Sequence, residues 1–289
     1  MPKQYADVVW NPKNHKRKKD KAPLPVFHEE IDYTVPAAKR GIDMLLSKFK
    51  KEAYKNEVFG KMPHSVPMPK LSKPLSESKI AFVTDGGLVP NGNPDNLSPV
   101  APDKFCIYSF MGKSRLCSEE YVISHQGYDS SFVREDPNRL VPLDAARKAE
   151  NEGKIRKISD IFYSTAGVML SVEKSRSLGH SIALSLYENE VDGVILTSTC
   201  GTSTRAGAYI ACEIEYLGIP VVQVTNLTQI SEGVGCSRIL KGNNISFVFG
   251  SPELSLEQEF DFRVRLFDKA LELLTEVPKK DSCIVANIV

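Results

Sequence analysis

The chain has 289 residues, of which 42% are hydrophobic and 25% charged, and its formal net charge is +1. This length is enough for one large domain with an extension, and the balanced charge argues against a global field for nucleic acid or acidic membranes. We find no apolar run near the roughly 20 residues of a membrane-spanning helix and no secretory signal, so we expect a cytoplasmic protein without nucleic-acid or membrane partners.

Residues 1–78 are predicted to form an extended, proline-rich N-terminal segment. Its prolines stand at positions 23, 25, 36, 63, 67, 69 and 74, and they leave one convincing helix, residues 37–51. The apolar side chains of that helix recur at helical spacing, so we expect this stripe to pack on a surface. Its members are Ile42, Leu45, Leu46 and Phe49.

Residues 79–289 are predicted to form an α/β catalytic domain. The run at 79–84 is a strand, followed by a loop at 85–95 rich in glycine, asparagine and proline, which suits either ligand approach or a plain connection. Further along, we expect strands at 105–110 and 121–129 and a helix at 144–152.

Strands and helices alternate regularly from Ile158 onward. Strands are predicted at 160–165, 193–199, 221–225 and 245–249, and helices at 172–188, 205–217 and 254–275, with a short helix or loop at 228–238. Such alternation indicates a mostly parallel sheet with helices on both faces. In such sheets, ligands bind at the carboxyl ends of the strands.

Cys200 is the strongest candidate for chemistry, since it ends the predicted strand at 193–199 and faces the start of a helix. A helix N-terminus favours a thiolate over a thiol. Arg205 could add a positive charge or hold a substrate carboxylate. A polar turn, residues 200–204, supplies hydroxyl and N–H groups that could bind an anion. The expected substrate-binding residues lie in this turn and next to it: Thr199, Gly201, Thr202, Ser203, Thr204 and Arg205. The alternative is a buried cysteine beside an ordinary helix cap.

Three more segments supply candidates. His125 follows an apolar run and is a candidate general acid or base, or else a structural histidine. Asp85 and Gly86 follow the first strand and complete the expected substrate-binding set, in which Asp85 could pair with a cationic substrate group or else cap its turn. Cys236 is a candidate redox partner of Cys200, the alternative being an inert thiol. No cysteine spacing indicates a metal site.

The segment VILTSTCGTSTRAGA resembles the active-site region of the large component B subunit of glycine, sarcosine and betaine reductases, and more distantly a subunit of D-proline reductase. The likeness extends in order over about residues 35–275. It covers AKRGIDMLL, IAFVTDGGLVPNGNPD, SHQGYD, EDPNRLVPLD, FYST, GIPVV and VGCSRI. Family members carry a further N-terminal domain, so the resemblance implies a shortened homologue.

The resemblance implies a reductase of anaerobic amino-acid metabolism. In the family, selenocysteine typically stands at position 200, and the substrate amine forms a Schiff base with a pyruvoyl group on a partner subunit. The selenolate then attacks the α-carbon, and the product of reductive C–N cleavage passes to a small selenoprotein. By this resemblance we expect no cofactor in this chain itself, a pyruvoyl-bearing partner, a small thiol or selenol redox protein, and an oligomer.

This chain departs from the family turn, which has cysteines where Ser203 and Ala206 stand here. Cys200 is either natural or a replacement for selenocysteine, and the two further differences favour natural divergence. Cysteine is the weaker nucleophile. We therefore expect a Cys200-dependent reductase that cleaves a carbon–heteroatom bond in a small amino-acid-like or carboxylate substrate. The alternatives are a non-catalytic assembly subunit and, less favoured, a cysteine-based racemase or isomerase.

Overall fold

The computed structural model describes residues 34–52, 68–279 and 282–288. The chain divides into two units, residues 1–64 and 65–289, which are described separately. The domain boundary predicted at residue 78 stays a prediction. The extended course predicted for the proline-rich arm falls largely on residues outside the described ranges.

In the first unit, the predicted helix is present as α1 (Ala37–Lys50). It ends at Lys51, whose left-handed backbone closes the last turn through its N–H group. The four side chains of the predicted apolar stripe, Ile42, Leu45, Leu46 and Phe49, are all exposed.

The second unit is built on a seven-stranded sheet in the order β3-β5-β1-β6-β7-β8-β9. All neighbouring strands are parallel except β3, which runs antiparallel to β5 at one edge. The strands are β1 (Lys79–Thr84), β3 (Cys106–Ser109), β5 (Lys157–Ser164), β6 (Gly193–Thr197), β7 (Val221–Thr225), β8 (Arg238–Lys241) and β9 (Ile284–Ala286).

A smaller antiparallel pair lies in the long connection between β1 and β5. It consists of β2 (Leu88–Pro90) and β4 (Tyr121–Ile123). The same connection contains two helices, α2 (Ser131–Glu135) and α3 (Leu143–Asn151). The prediction at 121–129 is thus confirmed as a short strand that leads into a turn.

The remaining helices follow the strands from β5 onward. They are α4 (Val172–Glu188), α5 (Gly201–Tyr216), α6 (Thr228–Val234) and α7 (Leu256–Thr275). Ser171 caps α4, and Ser255 with Gln258 forms a capping box on α7, which satisfies N–H groups that the first turn leaves unpaired. None of the helices in the described ranges is both long and apolar enough to cross a membrane.

Alternate residues of β7 separate the two faces of the sheet, as the pleat requires. Val222 and Val224 belong to the hydrophobic cluster that includes residues of α3 and α7, such as Phe267. Gln223, between them, donates a hydrogen bond to the carbonyl of Thr204 in α5 over 2.9 Å. Helices therefore cover both faces, and the predicted α/β class is confirmed.

Close packing between α4 and α5 depends on Gly179. A methyl group at this glycine would lie 2.8 Å from the Cα of Ile210, so any larger residue would push the helices apart. The contact between the two helices is extensive.

One predicted feature of the C-terminal half, the strand at 245–249, is wrong. Residues 245–249 form turns, and the strand after α6 is β8, which begins at Arg238. An arginine is atypical of a buried strand. Here it is buried because Glu215 pairs with its guanidinium at 2.8 Å. Strand β9, in the apolar tail, was not predicted.

Candidate active site

The carboxyl ends of four neighbouring strands, β5, β1, β6 and β7, meet at one edge of the sheet, as predicted. The hydroxyls of Thr84 and Thr197 join the ends of β1 and β6 at 2.8 Å. The hydroxyls of Thr204 and Thr225 join the start of α5 to the end of β7 at 2.7 Å. Cys200 lies at this edge, between β6 and α5.

Helix α5 begins earlier than predicted, at Gly201, so Cys200 itself is the cap residue. Its backbone is extended, and its carbonyl accepts the first helical hydrogen bond from the N–H of Thr204 over 2.8 Å. The residues predicted as a polar turn therefore form the first turn of the helix. Their small polar side chains have modest helix propensity but suit a helix N-terminus.

The thiol of Cys200 is partly exposed and has two hydroxyl neighbours. Its Sγ lies 3.6 Å from Thr202 Oγ1 and 3.5 Å from Ser203 Oγ. Gly127 approaches from the β4 side: a methyl group there would lie 2.8 Å from Sγ. Gly127 and the two hydroxyls thus form a close-fitting recess around the sulfur of this partly exposed residue.

His125 is buried next to this thiol. Its Nε2 lies 2.7 Å from Ser203 Oγ, and its Nδ1 accepts a hydrogen bond from the N–H of Gly127 over 3.0 Å. The ring also packs on Tyr128, with 4.9 Å between ring centroids. Burial lowers the pKa of His125 to about 4, so the imidazole is neutral at physiological pH.

Asp85 is fully buried at the end of β1. Its Oδ2 accepts a hydrogen bond from Ser198 Oγ over 2.5 Å. Its Oδ1 makes no hydrogen bond of normal geometry, although Thr199 N–H and the Ser203 hydroxyl lie near enough to favour the ionised form. Burial outweighs them and raises the pKa of Asp85 well above its ordinary value. The full burial of Asp85 does not suit the predicted pairing with a cationic substrate group.

Most residues of the predicted substrate-binding set are enclosed. Gly86, Thr199, Ser203 and Thr204 are buried, whereas Gly201, Thr202 and Arg205 are partly exposed. Arg205 lies one turn into α5 and donates to the carbonyl of Leu170 over 2.8 Å. The Gly86 carbonyl accepts from the hydroxyl of Tyr128 over 3.0 Å. A ligand can therefore reach only part of the set.

Cys236 lies away from the thiol of Cys200. It is buried, and its Sγ donates to Gln223 Oε1 over 3.1 Å and contacts the carbonyl of Ala208 at 3.6 Å. Its nearest thiol is Cys212, whose pKa is raised by the hydrogen bond between the two and by burial. These contacts fit the inert alternative better than a redox partnership with Cys200.

Sequence reasoning missed Gly127, Ser198 and Gln223. Gln223 donates to Ser198 Oγ over 2.9 Å, which extends the hydrogen-bond network behind Asp85. A glutamine inside the apolar run VVQVT was an available signal, because a buried amide needs partners. Gly127 gave no comparable signal, since its role depends on its approach to Cys200, which is distant in sequence.

Comparisons with known proteins agree with the resemblance. A family profile described as glycine/sarcosine/betaine reductase selenoprotein B matches residues 16–199 and ends one residue before Cys200. No solved structure matches the chain.

Several curated relatives are similar over most of the chain. The glycine reductase complex component B subunit gamma of Carboxydothermus hydrogenoformans is 42% identical over 238 residues, which cover 82% of this chain and 55% of the relative. The betaine reductase complex component B subunit beta of Peptoclostridium acidaminophilum is 38% identical over 240 residues, 83% of this chain and 55% of the relative. The D-proline reductase subunit gamma of Acetoanaerobium sticklandii is 30% identical over 169 residues, 58% of this chain and 68% of the relative. The chain thus spans about half the length of the first two relatives.

Proposed function

This chain belongs to the glycine/sarcosine/betaine reductase selenoprotein B family, and on that premise we propose that it is a cytoplasmic reductase subunit in which Cys200 is the nucleophile. One observation carries the proposal: a partly exposed thiol caps α5 at the carboxyl edge of the sheet, with two hydroxyls within 3.6 Å of its sulfur. A cysteine that served only packing would be buried among apolar side chains.

The proposed reaction is attack of the Cys200 thiolate on a polarised carbon of a small amino-acid-like or carboxylate substrate. The sulfur's electron pair forms an S–C bond as the carbon–heteroatom bond breaks. The departing heteroatom keeps the electrons of that bond and takes up a proton. The carbon then remains on the protein as a thioether, which must be passed to a thiol or selenol reductant.

The substrate's carboxylate would be held at the start of α5. The first N–H groups of any helix lack partners within the helix, and the helix dipole favours an anion there. Gly201 and Thr202 are partly exposed at this point. Arg205 adds positive charge one turn further on, although its bond to Leu170 directs at least one of its nitrogens away from solvent.

The proposal places a pyruvoyl group on a partner subunit, as the family resemblance implies. When bound near Cys200, such a carbonyl would activate a substrate amine as a leaving group. The side chains around Cys200 fit a division of roles in which this chain supplies the nucleophile and the partner supplies the carbonyl. They are hydroxyls and a neutral imidazole, which donate hydrogen bonds but offer no electrophile.

A small thiol or selenol protein would contact the partly exposed surface around Cys200. Two exposed apolar side chains, Met169 and Ile230, stand near it: the N–H of Met169 lies 3.4 Å from Thr202 Oγ1, and Ile230 faces Gly201. Apolar groups at a rim suit contact with a protein surface. We propose that the chain acts in an oligomeric complex with both partners.

Mass spectrometry of Cys200 tests this function. The chain, alone and co-purified with its partner subunits, is incubated with glycine, sarcosine, betaine or D-proline and a thiol reductant. We expect a substrate-derived thioether on Cys200 in the complex, and none with Cys200→Ser, which should also lose turnover. Full turnover by Cys200→Ser would refute the proposal and favour the assembly role. Turnover by the isolated chain would refute the need for a pyruvoyl partner.

A further inference from the structure

Ser203 is the residue that joins Cys200 to His125. It is fully buried in the first turn of α5, with its Oγ 2.7 Å from His125 Nε2 and 3.5 Å from Cys200 Sγ. Packing alone does not explain these two contacts of the hydroxyl, because an alanine at position 203 would fill nearly the same volume as the serine. A methyl group at Gly167 would lie 2.9 Å from the same Oγ, so the hydroxyl is held closely in place.

The tautomer of His125 follows from its second contact. Nδ1 accepts the N–H of Gly127 and therefore carries no proton in the neutral ring. The single ring proton is then on Nε2, which points at Ser203 Oγ. His125 is thus a donor toward Ser203, and in this state it cannot accept a proton from it.

The hydroxyl of Ser203 has two places to direct its own proton. One is the buried carboxyl group of Asp85, and the other is Cys200 Sγ once it is a thiolate, whereas the Cys200 thiol itself donates to Ser203 Oγ. Burial raises the pKa of Asp85 well above its ordinary value, which favours the neutral carboxyl group, and a neutral carboxyl group is a weaker acceptor than a thiolate. Once Cys200 has released its proton to solvent, the thiolate is the better acceptor for the Ser203 hydroxyl.

The titratable side chains around the pair are His125, Asp85 and Tyr128. Burial lowers the pKa of His125 and raises those of Asp85 and Tyr128, so it favours the uncharged form of all three. Arg205, on the same helix as Ser203, directs its Nη2 to Leu170. The site therefore differs from a cysteine–histidine ion pair, in which a charged imidazolium stabilises the thiolate.

We propose that Ser203 is a positioning residue that relays hydrogen bonding from His125 to the Cys200 thiolate: His125 Nε2–H donates to Ser203 Oγ, and the Ser203 hydroxyl donates to Cys200 Sγ. This inference rests on the proposed role of Cys200 as the nucleophile. It assigns His125 the part of a donor and not of a general base.

The test is the rate at which iodoacetamide alkylates Cys200 in the full chain, with the Cys200 peptide quantified by mass spectrometry. For Ser203→Ala we expect about a tenfold lower rate near pH 7, the effect of losing one hydrogen bond to a charged group. The two rates should converge as the pH is raised toward 10, because the thiolate then forms without the help of the hydrogen bond. Ser175→Ala, which removes a buried hydroxyl in α4, is the matched control.

His125 variants distinguish a donor from a base. Glutamine can donate a hydrogen bond to Ser203 but cannot act as a base at this pH, so His125→Gln should react at least threefold faster than His125→Ala near pH 7. The double variant Ser203→Ala/His125→Ala should react no more slowly than Ser203→Ala alone, because one broken link already interrupts the relay.

Two results would overturn the relay. One is a Ser203→Ala alkylation rate that is unchanged near pH 7, or that is reduced by the same factor at both pH values, which would indicate altered access of iodoacetamide to Cys200. The other is equal rates for the two His125 variants. Alkylation needs neither substrate nor partner, so its outcome is independent of the adduct experiment, and a failure of either proposal can be told from a failure of the other.

Discussion

The backbone N–H of Gly127 and the imidazole of His125 form a 3.0 Å hydrogen bond that decides which ring nitrogen carries the proton. Gly127 also touches the site on its other side, because a methyl group there would meet His125 Cε1 at 2.7 Å and Cys200 Sγ at 2.8 Å. One glycine therefore sets both the tautomer of the histidine and the space around the sulfur.

Gly127→Ala should destabilise the protein and slow the alkylation of Cys200. The added methyl must displace a ring or a sulfur in a close-packed recess, and such overpacking costs about 1–3 kcal/mol. Urea unfolding measures the loss. Gly233→Ala is the control, since nothing lies within 4 Å of its added methyl, and it should be as stable as wild type. A Gly127→Ala chain of wild-type stability and reactivity would contradict the packing described here.

His125 should make the protein less stable in acid. Its pKa in the fold is about 4, against 6.5 in an unfolded chain, so the unfolded state binds the extra proton. Stability due to the neutral ring is complete above about pH 6.5 and is lost as the pH falls toward 4, by up to about 3 kcal/mol. The measurement is the unfolding free energy of wild type minus that of His125→Gln across this range. A difference that does not change with pH would show that the ring titrates normally.

Asp85 should have the opposite pH dependence. Because its pKa is raised in the fold, the folded state holds the proton more strongly, and stability is lost as the pH rises above about 4. Asp85→Asn lacks the titration, so its stability relative to wild type should improve by about 1.4 kcal/mol per pH unit until Asp85 ionises. Chemical unfolding at several pH values checks this. If the stability of the variant relative to wild type instead falls as the pH rises, Asp85 is ionised in the folded state.

Glu215→Gln should be strongly destabilising. The Glu215 carboxylate pairs with the guanidinium of Arg238 at 2.8 Å, and both side chains are fully buried. Removing one charge leaves the other buried without a counterion, which costs about 3–5 kcal/mol. Asp268→Asn, which breaks the exposed pair with Lys154, should cost at most about 1 kcal/mol. Equal melting temperatures for the two variants would contradict this difference.

The order of strands and helices from β5 to α7 could be read almost entirely from the sequence. Runs such as those of β6 and β7 are continuously apolar because parallel strands are covered on both faces. Strand β8 was missed because it begins with Arg238, whose burial depends on a glutamate that lies 23 residues earlier in the sequence. Local patterns do not encode such a pairing.

In the candidate site, the candidate residues could be identified from the sequence, but the hydrogen bonds between them could not. Cys200, Asp85 and His125 were all named as candidates, because strand ends and isolated polar residues can be recognised locally. The start of α5 was predicted late, since glycine, serine and threonine are poor helix formers even though they suit a first turn. The contact between His125 and Ser203 joins segments 78 residues apart and depends on how the β2–β4 pair rests on the main sheet.

The groups around Cys200 come from two segments of the chain that are far apart in sequence. The sulfur and Ser203 belong to the β6–α5 unit of the main sheet, whereas His125 and Gly127 belong to the long insertion between β1 and β5. Substitutions at the site-facing residues of the insertion can therefore change the reactivity of Cys200 without changing the β6–α5 unit that carries it. Because the insertion also contributes α3 to the hydrophobic core, such substitutions affect reactivity and stability together, and the reactivities open to homologues are limited by what the core tolerates.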